Sequence, residues 1–369
     1  MADKCPYFNN KMYFYYSNLK GYIEVNLTTQ SQNDIKMPIS KLANPEEVGK
    51  IGLYYLKTVW THFKLQMTSN INSSRLDWKY INAVFNALGI GLEPTMRYFY
   101  MENPSFDEFE DWILEQGTVS KEMILQFNKT VENLSNNSKL TYVPVLSEED
   151  LKHWEEYGYV ILKNAVTKED CKEAVKIVCE TIGADLNDPE SWYKNHPLKQ
   201  GIMVQLFQHP TLDKIRFSEK IKQAYLQLWQ RNDLLISMDR VSFNPPETTT
   251  YHFPGPNLHW DVSLKTPIPK GLQGLLYLID TPANQGAFTL VPSFHNTIED
   301  WLTQLPKNAN PREQDLTSIA KPIAANAGDF IIWHHALPHG SSPNQGKLPR
   351  IVQYINYQPL NMEYQKEWI

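Results

Sequence analysis

The sequence predicts a mainly β protein with helices, in which a helical N-terminal domain precedes a C-terminal antiparallel sandwich or jelly roll. Three observations support this fold class. Up to about residue 140, apolar residues recur at spacings of three and four, as on one face of a helix. From about residue 234 onward, short β-rich runs alternate with Pro, Gly and Asn. Between these parts, the polar segment 129–144 contains an Asn/Ser cluster and a proline, which favours a linker.

We therefore place a domain boundary near residue 140, giving a helical domain at 1–140 and a second domain at 141–369. No candidate catalytic residue stands out in the first domain. Its helical spacing is clearest in three segments, YYLKTVWTHFKL (54–65), YINAVFNALGI (80–90) and SFDEFEDWILEQ (105–116).

The second domain begins with local signals for two helices and a strand. Ser147 starts a helix in a pattern resembling a capping box, and Gly158 ends it. The strand 159–166 follows, and Thr167 caps a second helix that ends before Gly183. The later predicted strands are LLISMDRVSF (234–243), NLHWDVSL (257–264), GLQGLLYLID (271–280), GAFTLVPSF (286–294), DFIIWHHAL (329–337) and RIVQYINY (350–357).

Composition and charge exclude several classes of function. The chain has 369 residues, of which 42% are hydrophobic, and its net charge of −6 lacks the basic excess of a nucleic-acid-binding protein. The first residues, MADKCPYFNNKMYFYY, contain no apolar signal-peptide core, and no later segment approaches the roughly 20 apolar residues of a membrane span. We therefore expect a cytosolic protein with neither nucleic-acid nor membrane partners.

Cysteine usage indicates neither a disulfide framework nor a structural zinc site. The three cysteines, Cys5, Cys171 and Cys179, are odd in number and form no CxxC motif. We expect Cys171 and Cys179 to be core thiols on one face of a helix.

The segment NLHWDVSL (257–264) carries a candidate metal site. On a strand, His259 and Asp261 would point to the same face and Trp260 to the other. A lone His-x-Asp pair is more often a hydrogen-bonded pair in a protein core, so a metal site needs a third ligand. His339 lies 80 positions downstream of His259 and supplies one. Two histidines and a carboxylate on one face of a metal leave its opposite face open, as in non-haem Fe(II) oxygenases.

Other histidines compete for the role of third ligand. His334 and His335 lie on the predicted strand before His339, while His295 follows VPSF and His252 precedes the His-x-Asp segment. Spacing alone does not exclude any of them.

The joint pattern of His259-x-Asp261, His339 in HGSSPN and Arg350 eleven positions later resembles the Fe(II)/2-oxoglutarate dioxygenases of the phytanoyl-CoA dioxygenase family. The resemblance covers about residues 146–360 and leaves the N-terminal third unexplained. Four further segments resemble that family in the right order: EEYGYVILKNAVTKEDC (155–171), DRVSFNPP (239–246), QGAFTLVPSFH (285–295) and AGDFIIWHHALPHGSSPN (327–344).

The resemblance implies a double-stranded β-helix, a jelly-roll or cupin-like core flanked by helices. It selects His339 over the other histidines and implies that His259, Asp261 and His339 hold Fe(II). The positions that these ligands leave open would accept 2-oxoglutarate and then O2.

The resemblance also implies the residues that bind the cosubstrate. Arg350 would pair with the far carboxylate of 2-oxoglutarate, because a guanidinium offers bidentate pairing that an ammonium lacks. Ser341 would supply the hydroxyl beside it, and Tyr277 would be the aromatic residue that flanks the cosubstrate.

The expected reaction is oxidation of a substrate C–H bond with release of succinate and CO2. Hydroxylation is favoured, and desaturation and ring closure remain open because they share the hydrogen-abstraction step. Halogenation is disfavoured, because Asp261 fills the position that halogenating relatives leave to chloride.

Two alternatives remain on the same fold: a catalytically silent ligand-binding protein, and a cupin-type metalloenzyme without 2-oxoglutarate, which would not need Arg350. We expect a small-molecule substrate, but the sequence does not identify it. Three roles are open for the N-terminal helical domain: covering the barrel mouth, forming a homo-oligomer, or binding a carrier-attached substrate.

Overall fold

A computed structural model describes residues 41–67, 76–136, 140–255, 257–363, 365 and 367–369, together with the backbone of three N-terminal strands. These strands, β1 (Tyr7–Phe8), β2 (Lys11–Tyr16) and β3 (Gly21–Asn26), form an antiparallel sheet in the order β1-β2-β3. The expectation of a mainly helical start is therefore wrong for these residues. The run KMYFYY is rich in residues that favour strands, and that signal was available in the sequence.

Five helices follow and form the helical part of the chain. Three confirm the predicted segments, whereas the third and fifth were not predicted. The helices are α1 (Leu56–Met67), α2 (Trp78–Leu88), α3 (Leu92–Glu102), α4 (Phe106–Glu115) and α5 (Lys121–Asn136). Because α5 continues to Asn136, residues 129–136 are helical, and the linker prediction is wrong for them.

The helical part has its own aromatic core. Phe99 is fully buried, and its ring centroid lies 5.1 Å from that of Phe63 and 4.7 Å from that of Phe109. Ser105 begins α4 with a capping box that it forms with Glu108. This core reaches the rest of the protein through Leu235, which packs against it.

The first elements of the second part match their sequence signals. Helix α6 (Glu148–Tyr157) begins with the Ser147–Asp150 capping box and ends at a left-handed Gly158. Strand β4 (Tyr159–Leu162) follows, and Thr167 caps helix α7 (Lys168–Ile182). Cys171 and Cys179 are free and buried on α7, as predicted, while Cys5 lies outside the described residues.

The remaining helices and strands are short. The helices are α8 (Pro210–Arg216), α9 (Glu219–Trp229) and α10 (Ile298–Gln304). The strands are β5 (Lys199–Gln200), β6 (Met203–Val204), β7 (Leu234–Ile236), β8 (Val241–Asn244), β9 (Leu272–Tyr277), β10 (Phe288–Leu290), β11 (Lys321–Pro322), β12 (Phe330–His334), β13 (His339–Ser341), β14 (Arg350–Tyr354) and β15 (Tyr357–Pro359).

The strands form a large and a small antiparallel sheet and one isolated pair. The large sheet has seven strands in the order β4-β12-β9-β14-β8-β6-β5, the small one has the order β11-β10-β13, and β15 pairs with β7. Mixed α/β structure with antiparallel sheets is thus confirmed.

Alternation along the strands places two cores on opposite faces of the large sheet. Phe330 and Ile332 of β12 pack with residues of α7 and α9, whereas Ile331 and Trp333 pack with residues of the small sheet. The rings of Trp333 and Phe288 lie 4.3 Å apart and join the two sheets. The inner faces of the sheets therefore enclose a common interior.

The segment 257–264 is not a strand, so that prediction is wrong. Within it, only His259 pairs, in an isolated antiparallel bridge with His339 of β13. A strand would continue past this bridge, but the chain turns away after Trp260.

Every helix within the described part of the chain is too short or too polar to cross a bilayer.

We expect Phe99→Ala to lower the free energy of unfolding by about 3–5 kcal/mol, because it leaves a cavity among packed rings. Met101→Ala, on the same helix at a residue that is 69% exposed, is the matched control and should change stability by no more than about 0.5 kcal/mol. Urea unfolding followed by tryptophan fluorescence measures both. Equal effects of the two substitutions would contradict the described core.

Candidate metal centre

The structure brings His259, Asp261 and His339 together. Their possible ligand atoms all lie within 4.8 Å of one another, and they form the one such group among the described residues. Asp261 bridges the two imidazoles, with 3.4 Å from Oδ1 to His259 Nε2 and 3.4 Å from Oδ2 to His339 Nε2. His339 is buried, whereas the Asp261 side chain is 51% exposed. The cluster therefore opens to solvent on the carboxylate side.

Backbone hydrogen bonds fix the distance between the two histidines. The His259 amide donates to the His339 carbonyl at 2.8 Å, and the His339 amide donates to the His259 carbonyl at 3.0 Å. Trp260 is buried on the opposite side, and its indole N–H donates to the Ala336 carbonyl at 2.9 Å. Two residues far apart in sequence are thereby held side by side.

Both imidazoles present the nitrogen that a metal would need. Nδ1 of His259 lies 2.8 Å from the Asn257 carbonyl, and Nδ1 of His339 lies 3.0 Å from the Leu337 carbonyl. Because a carbonyl oxygen only accepts, each Nδ1 must donate, and in the neutral ring Nε2 keeps its lone pair. Both Nε2 atoms face Asp261. A metal would take their lone pairs, whereas in the metal-free protein a protonated imidazole donates from Nε2 to the carboxylate.

The cluster holds Asp261 ionised. Burial would raise the pKa of this carboxyl, but hydrogen bonds with His259, His339 and Gln273 outweigh burial and hold its pKa well below the usual range. Burial also opposes protonation of His259, yet the contact with Asp261 dominates and raises the pKa of that imidazole. An ionised carboxylate between two imidazoles suits a divalent cation.

Gln273 is a site residue that sequence reasoning missed. Its Nε2 donates to Asp261 Oδ2 at 2.8 Å and so fixes the rotation of the carboxylate. It lies on β9, in the otherwise apolar run LQGLLY. The sequence signal that could have identified it is a single amide side chain at an inward-facing position of a core strand.

Arg350 lies beside Ser341, which follows His339 by two residues on β13. Arg350 is fully buried, and its Nη2 donates to Ser341 Oγ at 2.9 Å and to Ser242 Oγ at 3.1 Å. Its Nε and Nη1 have no hydrogen-bond partner among the described residues, nor does any described carboxylate pair with it. Since burying an unpaired cation is costly, this guanidinium is suited to an anionic ligand.

Tyr277 is fully buried next to Val352 on the inner face of the large sheet. Its hydroxyl donates to the Ile323 carbonyl at 2.9 Å and accepts from the Phe288 amide at 2.8 Å. Burial raises the pKa of this phenol well above its usual value, with nearby Arg350 opposing. The hydroxyl thus links the two sheets, and only the ring is available to flank a ligand.

Residues 154–352, more than half of the chain, match the family model of phytanoyl-CoA dioxygenase. The chain belongs to the phytanoyl-CoA dioxygenase family. The matched segment contains the three clustered side chains and Arg350. The protein is accordingly a non-haem Fe(II)/2-oxoglutarate-dependent dioxygenase, which uses Fe(II), 2-oxoglutarate and O2.

Individual relatives are distant. A Dictyostelium discoideum protein named "Putative phytanoyl-CoA dioxygenase" is 22% identical over 258 residues, which are 56% of this chain and 74% of that protein. Among solved structures, the non-heme alpha ketoglutarate dependent carbocyclase SnoK from nogalamycin biosynthesis is 18% identical, with a TM-score of 0.42 over 62% of this chain and 90% of that chain. HygX from Streptomyces hygroscopicus, solved with nickel and 2-oxoglutarate, is 13% identical, with a TM-score of 0.44 over 60% and 91%.

The four histidines that competed for the role of third ligand in this dioxygenase lie outside the cluster. His335 hydrogen-bonds through Nε2 to the Pro269 carbonyl, and His334 packs between His295 and His335 with ring centroids 5.4 Å from each. His252 is exposed in the loop before the His-x-Asp segment. These contacts are those of packed or solvated histidines.

Burial lowers the pKa of His334 to about 3 and that of His335 to about 4, both from an ordinary 6.5. These two histidines stay neutral in the folded protein, whereas in the unfolded chain they take up protons below about pH 6.5. Proton uptake stabilises the unfolded chain, so the free energy of unfolding is highest above pH 6.5 and falls as the pH is lowered. Between pH 6.5 and 5 the loss should be roughly 2 kcal/mol per histidine.

We therefore expect His334→Phe to reduce the fall in stability of the metal-free dioxygenase between pH 7 and 5 by roughly 2 kcal/mol. Denaturant unfolding at several pH values measures the slope. His252→Phe, at an exposed position, is the control and should keep the wild-type slope. An unchanged slope in His334→Phe would contradict the lowered pKa of this imidazole.

Proposed function

We propose that this dioxygenase oxidises an unactivated C–H bond of a small-molecule metabolite, most simply to an alcohol, while 2-oxoglutarate and O2 are converted to succinate and CO2. Desaturation and oxidative ring closure begin with the same hydrogen abstraction. The observation that carries the proposal is the cluster of two imidazoles and a carboxylate together with a buried, unpaired guanidinium, which bonds Ser341 two residues beyond His339 of the cluster.

His259, Asp261 and His339 are the proposed metal ligands. Two neutral imidazole nitrogens and one carboxylate oxygen are the donor set of a facial non-haem Fe(II) site. The hydrogen bond from each Nδ1 to a backbone carbonyl would hold the ring in the orientation that presents Nε2 to the metal. When bound, Fe(II) activates O2 and supplies the oxidant for the C–H bond. The exposed side of Asp261 is where we expect the substrate to approach.

Arg350 is the proposed partner of the far carboxylate of 2-oxoglutarate. Ser341 and Ser242 each accept a hydrogen bond from its Nη2, which orients the guanidinium plane and leaves Nε and Nη1 as donors for the ligand. The ring of Tyr277 would flank the bound keto-diacid. These groups bind and orient the cosubstrate and exclude water from it.

The catalytic domain is proposed to be a double-stranded β-helix spanning residues 141–369, with residues 1–140 as a separate helical domain. The facing seven-stranded and three-stranded antiparallel sheets support the first assignment. The aromatic core shared by α1 to α5 supports the second. A homo-oligomer formed through the helical domain and a cytosolic location remain predictions.

Anaerobic addition of Fe(II) and 2-oxoglutarate should produce a weak visible charge-transfer band, because the keto acid would chelate the iron. His339→Ala should abolish the band, and His252→Ala should leave it unchanged. Absorption spectroscopy under argon measures it. A wild-type protein without a band at saturating concentrations would favour a silent ligand-binding protein or a cupin-type enzyme without 2-oxoglutarate.

Arg350→Met should weaken 2-oxoglutarate binding by about 2–5 kcal/mol, since it removes one partner of a buried, hydrogen-bonded charge pair. Titration of the charge-transfer band with 2-oxoglutarate gives the affinity, and far-UV circular dichroism checks the fold. Arg350→Lys should recover only part of the loss, because an ammonium lacks the planar fork. Wild-type affinity in Arg350→Met would remove this residue from the cosubstrate site.

A further inference from the structure

We propose that Arg312, which is not itself a candidate ligand, is the positioning residue that holds the Asp261 carboxylate in place for the metal. This inference rests on the proposed metal centre and adds a residue that lies outside its ligands. Arg312 belongs to the long connection between β10 and β11, distant in sequence from all three proposed ligands.

The backbone around Asp261 needs a partner that the sheets do not provide. After the bridge at His259 the chain leaves the small sheet, so the next carbonyls have no neighbouring strand. Arg312 takes that role, because its Nη1 donates to the Trp260 carbonyl at 2.8 Å and its Nη2 to the Val262 carbonyl at 2.6 Å. These carbonyls lie on either side of Asp261, so one rigid guanidinium holds the peptide that precedes Asp261 and the peptide that follows Val262.

Arg312 is itself held firmly. Its Nε and Nη2 also donate to the Ile369 carbonyl oxygen at 3.1 and 2.8 Å, and the guanidinium lies 4.6 Å from the ring centre of Trp368. Its own backbone amide donates to Asn310 Oδ1 at 3.0 Å, within the short 3-10 turn Pro311–Glu313. The hydrogen bonds to the Trp260 and Val262 carbonyls are thus made from a fixed turn.

The position of Asp261 is also constrained from the other side. The Trp260 indole N–H donates a hydrogen bond to the carbonyl of Ala336, three residues before His339, and the Gln273 amide donates one to the Asp261 carboxylate itself. Arg312 completes this set by holding the Trp260 and Val262 carbonyls, which neither of the other two contacts reaches. Without it, the carboxylate would reach the bridging position between the imidazoles only part of the time.

The charge of Arg312 and its role in positioning Asp261 would affect metal affinity in opposite directions. A nearby guanidinium repels a divalent cation, so an effect of its charge alone would make metal binding tighter when the charge is removed. Loss of positioning would make binding weaker, typically by about 10–100-fold for a residue that orients a metal ligand. The sign of the change in metal affinity therefore decides between the two.

The test is anaerobic titration of the full-length protein with Co(II), a spectroscopic substitute for Fe(II), in wild type, Arg312→Gln, Arg312→Lys and Arg97→Gln. Arg97 is exposed on α3, so its replacement is a control with the same change in charge. We expect Arg312→Gln to raise the Co(II) Kd about 10-fold or more and to shift the visible ligand-field bands, and Arg312→Lys to recover only part of the affinity. Arg97→Gln should match wild type.

A purely structural role would lower the melting temperature or the fraction of folded protein, while the Kd and spectrum of the folded fraction stayed at wild-type values. A loss of stability with wild-type Co(II) binding would overturn the proposal. So would tighter Co(II) binding by Arg312→Gln, or full recovery of the affinity in Arg312→Lys. Asp261→Ala tests the proposed metal centre separately. If this variant bound Co(II) as wild type does, the metal centre itself would be wrong, whatever the result for Arg312.

Discussion

The site depends on one pair of backbone hydrogen bonds, those between His259 and His339. Each residue donates to and accepts from the other, at 2.8 and 3.0 Å, and this holds two imidazoles that are 80 positions apart in sequence side by side. The ring centroids lie 4.9 Å apart, and the Asp261 carboxylate bridges the two Nε2 atoms at 3.4 Å from each.

The two sheets explain why such a polar interior is stable. Tyr277 closes one wall by bonding a carbonyl and an amide of the small sheet, and Trp333 packs against Phe288 between the sheets. The apolar contacts offset the cost of burying Arg350 and its serine partners. The unpaired donors of Arg350 nevertheless remain, and they indicate that the interior is built for a bound anion.

The sequence predicted those parts of the structure that local signals control. The caps at Ser147 and Thr167 and the terminating Gly158 lie where predicted, because capping depends on a few adjacent residues. The end of helix α5, residues 129–136, was taken for linker because polar residues dominate its composition, although Val131 packs on the helical core. The aromatic run in β2 shows the opposite error, in which a strand signal was outweighed by its helical surroundings.

At the site, spacing alone left four other histidines, among them His335, as alternatives to His339, and the resemblance to the family was needed to choose among them. The reason is physical: the two imidazoles differ in their partners, one meeting Asp261 and the other the Pro269 carbonyl, and such contacts come from distant segments. The roles of Gln273 and Arg312 were not predicted from the sequence for the same reason. The segment around Asp261 has the alternation of a strand, but its partner after His259 is a guanidinium rather than another strand.

Convergence of the three ligands is tested most directly by a diffraction structure of the protein crystallised without O2 in the presence of Mn(II) and 2-oxoglutarate. Anomalous scattering at the manganese edge should give one peak within bonding distance of Nε2 of His259, Nε2 of His339 and an oxygen of Asp261, with the far carboxylate of 2-oxoglutarate against Arg350. A peak bound by other side chains, such as His335, or a His339 ring turned away from Asp261, would contradict the assignment.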